Sequence, residues 1–313
     1  MYFSVVIPLY NKALHIERAI RSILQQTCQD FEIIVVNDGS TDHSREIVES
    51  IHDERLSLIN QTNQGVSVAR NRGTEASRYE YVAFLDADDE WLPDFLCGIR
   101  VLINNFPDCG AYATAVKTIR PNGQEFFPSL ANLPLEPWIG ILPNFFELFQ
   151  QGLSAFHPSS IVIPKQALMD VGGFPPGVIL MEDIACWIKI AMKYPIAFNP
   201  KRLVIYHQEA MNRSNVHKNL KEAPFVNIVL EAIKGGLIYR DLQIEALEFV
   251  AKHQIFTAAA NIMVGKPVYA RQLLSTCDQT KKYKRMWLWW RFWASLPAGW
   301  PAKFMILKQK LSG

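Results

Sequence analysis

Apolar and polar positions follow two alternating periods along the first ninety residues. Short, β-branched apolar runs bounded by turn residues predict four strands, at 4–7, 31–36, 56–59 and 81–85. Apolar residues at helical spacing between these runs predict a helix from near 12 to 24, a second that contains 47, 48 and 51, and a third at 66–76. Asn11 is placed to cap the first of these helices, near Lys12. Strands alternating with helices predict a parallel sheet with helices on its faces.

The pattern is looser after residue 89. A turn at 121–123, strands at 160–163 and 203–206 and a helix at 182–192 are predicted, and the sequence beyond residue 216 is helical in character. The expected fold class is therefore α/β, with a mostly parallel, Rossmann-like sheet and flanking helices, followed by a helical C-terminal extension. The predicted domains are 1–215, an extension at 216–280 and a tail at 281–313.

Charge is unevenly distributed along the 313 residues. The formal net charge is only +2, yet residues 281–313 hold eight Lys or Arg, five of the 8 Trp and no acidic residue. Basic residues beside Trp and Phe are typical of a segment that lies on an anionic membrane surface. The alternative interpretations are a helix that packs on the body or on another subunit, and a nucleic-acid-binding segment. No recognised nucleic-acid module accompanies the basic run, so nucleic acid is not an expected partner.

The five cysteines are scattered without CxxC spacing, so neither a disulfide framework nor a zinc site is expected. The N-terminal residues lack the basic region of a signal peptide, and no uncharged apolar run is long enough to span a bilayer. These observations predict a cytoplasmic protein, with peripheral contact at the inner face of the cell membrane through the tail.

Carboxylates gather in one turn, Asp86-Ala87-Asp88-Asp89, directly after the predicted strand at 81–85. Unpaired carboxylates this close repel one another, so the turn needs a compensating cation. A hard divalent ion that bridges carboxylate and diphosphate oxygens is the natural partner, with Mg²⁺ and Mn²⁺ as the candidates. The alternative interpretation is an acidic turn that caps the following helix.

Polar residues also follow the first two predicted strands. Asp38, with Gly39 and Ser40 beside it, is placed to read a nucleotide base, and Tyr10 is placed to stack on that base. Arg70 and Arg72 lie on or beside the predicted helix at 66–76, where either can reach a phosphate. For each, an ordinary turn, a packed ring or a solvated helix charge is the simpler alternative.

Together these segments resemble family 2 glycosyltransferases, the large inverting group with the GT-A fold. The resemblance extends over roughly the first 210 residues, and there is no GxGxxG after the first strand, so a generic dinucleotide-binding domain is disfavoured. The matching stretches are SVVIPLYN (4–11), FEIIVVNDGSTD (31–42), NQGVSVARNRG (63–73), YVAFLDADDEWLP (81–93), 159–163, GGF (172–174) and MED (181–183).

The resemblance implies roles on the donor side. Pro8 and Tyr10 are expected to line a uracil pocket, and Asp38 is expected to hydrogen-bond the base. Arg70 is expected to approach the diphosphate.

The metal ligands follow from the same resemblance. Asp86 is expected to reach the ribose or the metal shell, and Asp88 to bind the metal directly, with Asp89 as an alternative to both. His207 matches a position where some relatives place a metal ligand or a diphosphate contact. A partly buried structural histidine is the competing interpretation, because the surrounding IYHQEAMNRS departs from the usual pattern.

Glu182 and Asp183 resemble the family's acceptor-side acidic pair, with Asp183 in the position of the general base. Inversion requires an acceptor hydroxyl to attack the anomeric carbon opposite the departing diphosphate, and a carboxylate accepts the hydroxyl proton. The simpler alternative is that both residues begin a helix, where negative charge is favoured by the dipole.

The predicted function is an inverting, metal-assisted hexosyl transfer from a nucleotide diphosphate sugar, expected to be UDP-linked, to a saccharide or lipid-linked saccharide in polysaccharide biosynthesis. One alternative is a catalytically inactive nucleotide-sugar-binding scaffold. Another is a nucleotidyltransferase, which normally needs a Gly- and basic-rich loop after the first strand, and residues 8–11 do not form one.

Overall fold

The computed structural model of the chain describes all residues except 129, 131–132, 135–137, 151–156, 179, 209–219, 239, 298–299 and 301–313, and the side chain of Asp241. Within the predicted tail, residues 298–299 and 301–313 therefore lie outside the described residues. Contacts divide the chain into two compact units, one of residues 1–148 and 152–213, the other of 149–151 and 214–313. The predicted α/β fold with a helical C-terminal part is confirmed.

Ten strands of the first unit form one mixed sheet within the described residues. Its path is β3-β2-β1-β4-β9-β6-β10-β5, with β7 added to β6 and β8 added to β10. The strands are β1 (Phe3–Leu9), β2 (Phe31–Asp38), β3 (Leu56–Gln61), β4 (Tyr81–Phe84), β5 (Glu90–Trp91), β6 (Ala111–Ile119), β7 (Glu125–Phe126), β8 (Gly140–Ile141), β9 (Ile161–Pro164) and β10 (Ile196–His207).

Helices flank the sheet. The regular elements described in the second unit beyond residue 220 are also helices. They are α1 (Ile16–Leu24), α2 (Ser44–Glu49), α3 (Val66–Ala76), α4 (Phe95–Asn105), α5 (Phe145–Gln150), α6 (Lys165–Asp170), α7 (Glu182–Ala191), α8 (Pro224–Lys234), α9 (Arg240–Met263), α10 (Pro267–Thr276) and α11 (Lys284–Ser295). A single 3-10 turn, Pro158–Ser160, precedes β9.

The four N-terminal strands pair in parallel, so their carboxyl ends meet at one edge of the sheet. β2 is buried at every position, which is the physical meaning of the continuous apolar run FEIIVV. β9 then runs antiparallel to both β4 and β6. This reversal carries the residues just before β9 to the edge where β4 ends, and so positions the site described below.

Helix α3 lies close to β1 because Gly73 has no side chain. A Cβ built on Gly73 would lie 2.3 Å from Cγ1 of Val6, a distance that real Cβ atoms do not show. The glycine in this helix therefore permits the close packing of helix on strand, at a cost in helix propensity of about 1 kcal/mol relative to alanine.

The start of the first helix differs from the prediction. Helix α1 begins at Ile16 rather than near Lys12, and Leu14, expected on its apolar face, is exposed. Asn11 adopts a left-handed backbone (φ 50°), and its side chain accepts a hydrogen bond from the backbone N–H of Thr41 at 2.8 Å. The side chain expected to cap the helix instead binds a residue 30 positions away, and the local sequence gives no sign of that contact.

The expectation that no disulfide is present was wrong. Cys28 and Cys97 are joined, with their Cα atoms 5.6 Å apart, although 69 residues separate them in sequence. Their spacing gave no signal because the sheet, not a local motif, brings them together. Persistent disulfides are rare in a reducing cytoplasm, so the pair is an observation against the predicted location, which stays a prediction.

The second unit has its own apolar core. Residues of α9, α10 and α11 form it, including Ile255, Leu274 and Trp287. Helix α11 lies in the predicted tail, and its inward side chains belong to this core. Among the described helices, none is both long and apolar enough to cross a bilayer.

We expect Gly73→Ala to lower the free energy of unfolding by about 1–3 kcal/mol, because the added methyl overpacks against Val6. Helix propensity alone would predict that Gly73→Ala raises the free energy of unfolding. Urea denaturation of Gly73→Ala, Val6→Ala and the double variant measures the coupling. Val6→Ala removes the clashing methyl groups, so the double variant should lose less than the two single losses combined. Strict additivity would contradict this packing.

Candidate active site

The candidate site lies at the carboxyl ends of β1, β2 and β4, as expected for a sheet of this type. Tyr10, immediately after β1, has an exposed ring, while Pro8 lies within the strand and is partly buried. An exposed ring at this position suits stacking on a planar ligand. Their role in a uracil pocket stays a prediction.

Asp38, the last residue of β2, holds the turn that leads into α3. Its Oδ1 accepts hydrogen bonds from Nε2 of Gln61 at 2.7 Å and the backbone N–H of Gln64 at 2.9 Å, and its Oδ2 accepts from the backbone N–H of Gly65 at 2.8 Å. The carboxylate is buried. Each oxygen has two lone-pair directions, so one direction on Oδ2 is left to accept from a base N–H.

The three acidic residues of the turn after β4 have three different environments. Oδ1 of Asp86 pairs with Arg70 at 2.8 Å, and Oδ2 of Asp88 pairs with Nζ of Lys12 at 2.7 Å. Asp89 is fully buried, and its carboxylate contacts Oγ of Ser159 at 2.5 Å, the backbone N–H of His207 at 3.2 Å and Nδ1 of His157 at 3.1 Å.

The acidity of these groups follows from these environments. Burial raises the pKa of Asp89 above its ordinary value, although His157 pulls in the other direction. Burial acts on Asp86 in the same sense, but the charges of Arg70, His157 and Lys12 and the hydrogen bond from Arg70 together outweigh it and leave the pKa of Asp86 lowered. For His157, burial would lower the pKa, but the hydrogen bond to Asp89 and the negative charges of Asp89, Asp86 and Asp183 together raise it. A protonated His157 offsets part of the turn's negative charge.

Arg70 is the buried cation of the site, with only 2% of its surface exposed. One terminal nitrogen donates to Asp86 at 2.8 Å, the other to Oε1 of Glu182 at 2.9 Å, and the guanidinium lies 5.3 Å from the ring centroid of Phe174. Burial would lower its pKa, but the two carboxylates raise it, so the residue stays charged. Both terminal nitrogens of Arg70 already bind carboxylates. The predicted approach of Arg70 to a diphosphate stays a prediction.

Arg72, the other candidate for phosphate contact, lies on an exposed part of α3. Its NH1 is 3.5 Å from Oε1 of Gln61, at the limit of a hydrogen bond. The structure therefore brings Arg70, and not Arg72, against the acidic turn.

Glu182 and Asp183 begin helix α7, directly after Met181, which has a left-handed backbone (φ 64°). Glu182 is bound to Arg70, whereas the hydrogen bond described for Oδ1 of Asp183 comes from the neighbouring backbone N–H of Ile184 at 2.7 Å. Burial raises the pKa of Asp183 to about 6, the neighbouring Glu182 adds to this, and Arg70 opposes it. A carboxyl with this pKa is well matched to accept a proton near neutral pH.

His157 belongs to the site and was missed by the sequence reasoning. It precedes the 3-10 turn before β9, and its ring centroid lies 4.2 Å from that of Tyr206, with the two rings tilted by 39°. No local motif marks it, since it lies 68 residues after Asp89 and arrives there because β9 reverses direction. Ser159, in the matching stretch 159–163, and Lys12, after β1, were given no role at the site, because their partners Asp89 and Asp88 lie 70 and 76 residues away in sequence.

His207, the last residue of β10, is buried, and its Nε2 lies 3.3 Å from Oε2 of Glu90. Its backbone N–H binds Asp89. In the described part of the chain, the group of side chains able to hold a metal consists of Asp86, Asp89 and His157, with ligand atoms within 4.8 Å of one another. His207 as a ligand stays a prediction.

Asp86 and Asp88 as the ligands of a hard divalent ion stay a prediction, since Asp86 belongs to the group just named and Asp88 does not. Carboxylate oxygens suit Mg²⁺ and Mn²⁺, and the described hydrogen bonds leave Oδ2 of Asp86 for an ion. Asp89 fits less well, because burial and three partners already use its oxygens. An ion at Asp88 would displace Lys12 from its oxygen.

Residues 4–172 match the protein family described as Glycosyl transferase family 2. An uncharacterized glycosyltransferase of Rickettsia bellii (strain RML369-C) is 42% identical over 248 residues, which cover 75% of this chain and 33% of that protein. TuaG of Bacillus subtilis (strain 168), whose description proposes a role in teichuronic acid biosynthesis, is 42% identical over 96 residues, or 30% of this chain and 38% of that protein. The chain thus spans about a third of the length of these curated relatives.

Among solved structures, S. aureus TarS 1-349 in complex with UDP-GlcNAc is similar to this chain with a TM-score of 0.62. The similarity covers 93% of this chain and 92% of that chain at 20% sequence identity. At this identity the similarity is one of fold.

We expect Arg70→Met to lower the free energy of unfolding by about 3–5 kcal/mol at pH 8, because two carboxylates then lose their buried cation. Arg72→Met removes the same charge from an exposed position two residues later and should change it by about 0.5 kcal/mol or less. Urea denaturation of both variants tests the difference. Equal losses in the free energy of unfolding would show that the Arg70 bridge does not stabilise the fold more than an exposed charge does.

Proposed function

We propose that this chain, which belongs to glycosyl transferase family 2, transfers a sugar from a UDP-linked donor to a hydroxyl of a saccharide or lipid-linked saccharide, with inversion at the anomeric carbon. The observation that carries the proposal is the bridge Asp86–Arg70–Glu182, which joins the acidic turn to the start of α7, where Asp183 follows Glu182. Burial also raises the pKa of Asp183 to about 6.

The donor class rests on the open position of Tyr10, on Asp38 and on the fold. TarS, which shares the fold, is described in complexes with UDP-GlcNAc and with UDP. These observations support a UDP-sugar without selecting the sugar. The named role of TuaG supports polysaccharide biosynthesis as the setting.

Asp183 accepts the proton of the acceptor hydroxyl in this proposal. The acceptor oxygen forms a bond to the anomeric carbon as the bond from that carbon to the diphosphate oxygen breaks, and the electron pair leaves with the diphosphate. The proton on Asp183 then returns to solvent. Because the pKa of Asp183 is near 6, the carboxyl is ionised at neutral pH and still basic enough to take the proton.

The other residues hold the groups of the site in place and balance its charge. Glu182 holds Arg70, Arg70 holds Asp86, and Lys12 lies at the acidic turn, 2.7 Å from Asp88, where it can meet a phosphate oxygen. Asp86 and Asp88 would hold Mn²⁺ or Mg²⁺, which when bound offsets the negative charge that grows on the leaving diphosphate. The inactive scaffold remains the alternative, and it differs in requiring no general base.

We expect UDP with Mn²⁺, and neither alone, to raise the melting temperature of the wild type. A ligand at about a hundred times its dissociation constant adds about 2.7 kcal/mol of stability. GDP and dTDP, each with Mn²⁺, serve as controls for the base, and Asp88→Ala should abolish the shift. A UDP shift that persists without metal, or in Asp88→Ala, would remove Asp88 from the metal site.

We expect Asp183→Asn to keep this UDP shift but to reduce release of UDP from UDP-GlcNAc or UDP-glucose, with oligosaccharide acceptors, by about 10²–10⁴-fold. The same variant should melt at a higher temperature than wild type at pH 8 without ligands, because ionising Asp183 opposes folding above a folded-state pKa of about 6. Near pH 4 the carboxyl is largely protonated in the native chain and close to its midpoint in the unfolded chain, so the difference should largely vanish.

Glu75→Gln, an exposed carboxylate on α3, is the matched control and should leave both rate and stability unchanged. Full activity of Asp183→Asn would rule out Asp183 as the general base. Inactivity of wild type with every donor and acceptor, despite UDP binding, would favour the scaffold.

A further inference from the structure

Helix α11 presents an apolar surface to solvent as well as to the core. Trp287, Trp293 and Ala294 are buried. Leu288, Trp289 and Phe292 are exposed by 54%, 48% and 56%, respectively. Residues three and four positions apart are neighbours on the surface of a helix, so Phe292 lies beside both Trp289 and Leu288, and the three side chains form one patch.

The orientation of this patch is fixed by hydrogen bonds along the helix. Just before the helix, Glu248 accepts from Oγ1 of Thr280 at 2.5 Å and from the backbone N–H of Lys281 at 2.7 Å. In its first turn, the indole N–H of Trp287 donates to the backbone carbonyl of Leu274 at 2.7 Å. The helix therefore cannot turn its exposed apolar side chains inward without breaking buried polar contacts.

At the end of the helix, a guanidinium nitrogen of Arg271 donates to the backbone carbonyl of Ala294 at 2.7 Å. This bond satisfies a carbonyl of the last turn, which has no partner within the helix. The segment just before α11, its first turn and its last turn are thus bonded to α9 or α10, which fixes the side of the helix that faces outward in the described part of this unit.

Positive charge surrounds the patch. Lys281, Lys282, Lys284, Arg285 and Arg291 are all exposed, and the sequence contains no acidic residue after Asp278. Nζ of Lys284 and the guanidinium carbon of Arg291 lie 4.3 Å and 4.7 Å from the ring centroid of Trp287. These two contacts hold the cations at the border between the buried ring and solvent.

We propose that the outward face of α11, made of Lys284, Arg285, Leu288, Trp289, Arg291 and Phe292, binds the surface of an anionic lipid bilayer. The three apolar side chains enter the boundary between headgroups and acyl chains, and the cations meet lipid phosphates. A helix with apolar and aromatic residues at the centre of its exposed face and cations around them matches this environment.

Two other occupants are disfavoured. A second copy of the same face would bring two sets of cations together, which opposes self-association. A nucleic acid would satisfy the cations, but no recognised nucleic-acid module accompanies the basic run. The bilayer proposal uses residues of the second unit alone and does not depend on the proposed function.

Co-sedimentation of the full chain with vesicles of phosphatidylcholine and phosphatidylglycerol tests the proposal, with pure phosphatidylcholine for comparison. We expect binding to the anionic vesicles that weakens with added salt. Leu288→Ser/Phe292→Ser should abolish it. The control Ile244→Ser/Val268→Ser removes side chains of the same unit that are 67% and 62% exposed, and should bind as wild type.

Lys284→Gln/Arg285→Gln should weaken binding by roughly fivefold for each charge removed. Lys234→Gln/Lys266→Gln removes two other exposed cations of the same unit and is the charge control. All variants change exposed residues, so unchanged melting temperatures are expected and confirm that each chain is folded.

Four results would overturn the proposal: equal binding to neutral vesicles, no binding to anionic ones, equal loss in the two control variants, or binding of a single-stranded oligonucleotide that excludes the vesicles. Sedimentation velocity without lipid provides a fifth. A dimer that Leu288→Ser/Phe292→Ser converts to a monomer would assign the face to a second copy of the chain.

Discussion

The buried guanidinium of Arg70 joins parts of the chain that otherwise have no reason to meet. It stands on α3, donates to Asp86 at the end of β4 and to Glu182 at the start of α7, and is almost wholly withdrawn from water. A charge in this position is stable only while both carboxylates remain beside it. The same condition keeps Glu182 near Asp86, and so fixes where Asp183 lies. Stability and the geometry of the site thus depend on one side chain.

Asp89 shows why an acidic motif does not assign its own roles. Three carboxylates lie within four positions, yet Asp89 is the anchor that ties Ser159, His157 and the end of β10 to the turn. Its burial leaves Asp86 and Asp88 nearer to solvent, where a ligand can reach them. An anchoring carboxylate and a metal-binding carboxylate have the same side chain, and they differ only in what surrounds them.

The sequence was sufficient wherever the deciding forces are local. The helix Val66–Ala76 was predicted to the residue, and the apolar run of β2 marked a buried strand, because periodicity reflects burial directly. His157, the Cys28–Cys97 pair and the left-handed Asn11 were not predictable, since each depends on contacts made across many residues. The acidic residues of the site were identified, but their partners were not, because ion pairing is a property of the folded sheet.

The long separation of these partners has a consequence for how the protein is made. Glu182 follows Arg70 by 112 positions, and His207 follows Asp89 by 118. At about 5–20 residues per second, a ribosome needs roughly 6–24 seconds to add the later partner of Asp89. Until residue 182 is made, the described carboxylate partner of Arg70 is Asp86 alone, and until residue 207 is made, Asp89 lacks one of its three partners. A fragment that stops before residue 207 therefore lacks the backbone N–H that ties the end of β10 to the acidic turn, however well its first strands have folded.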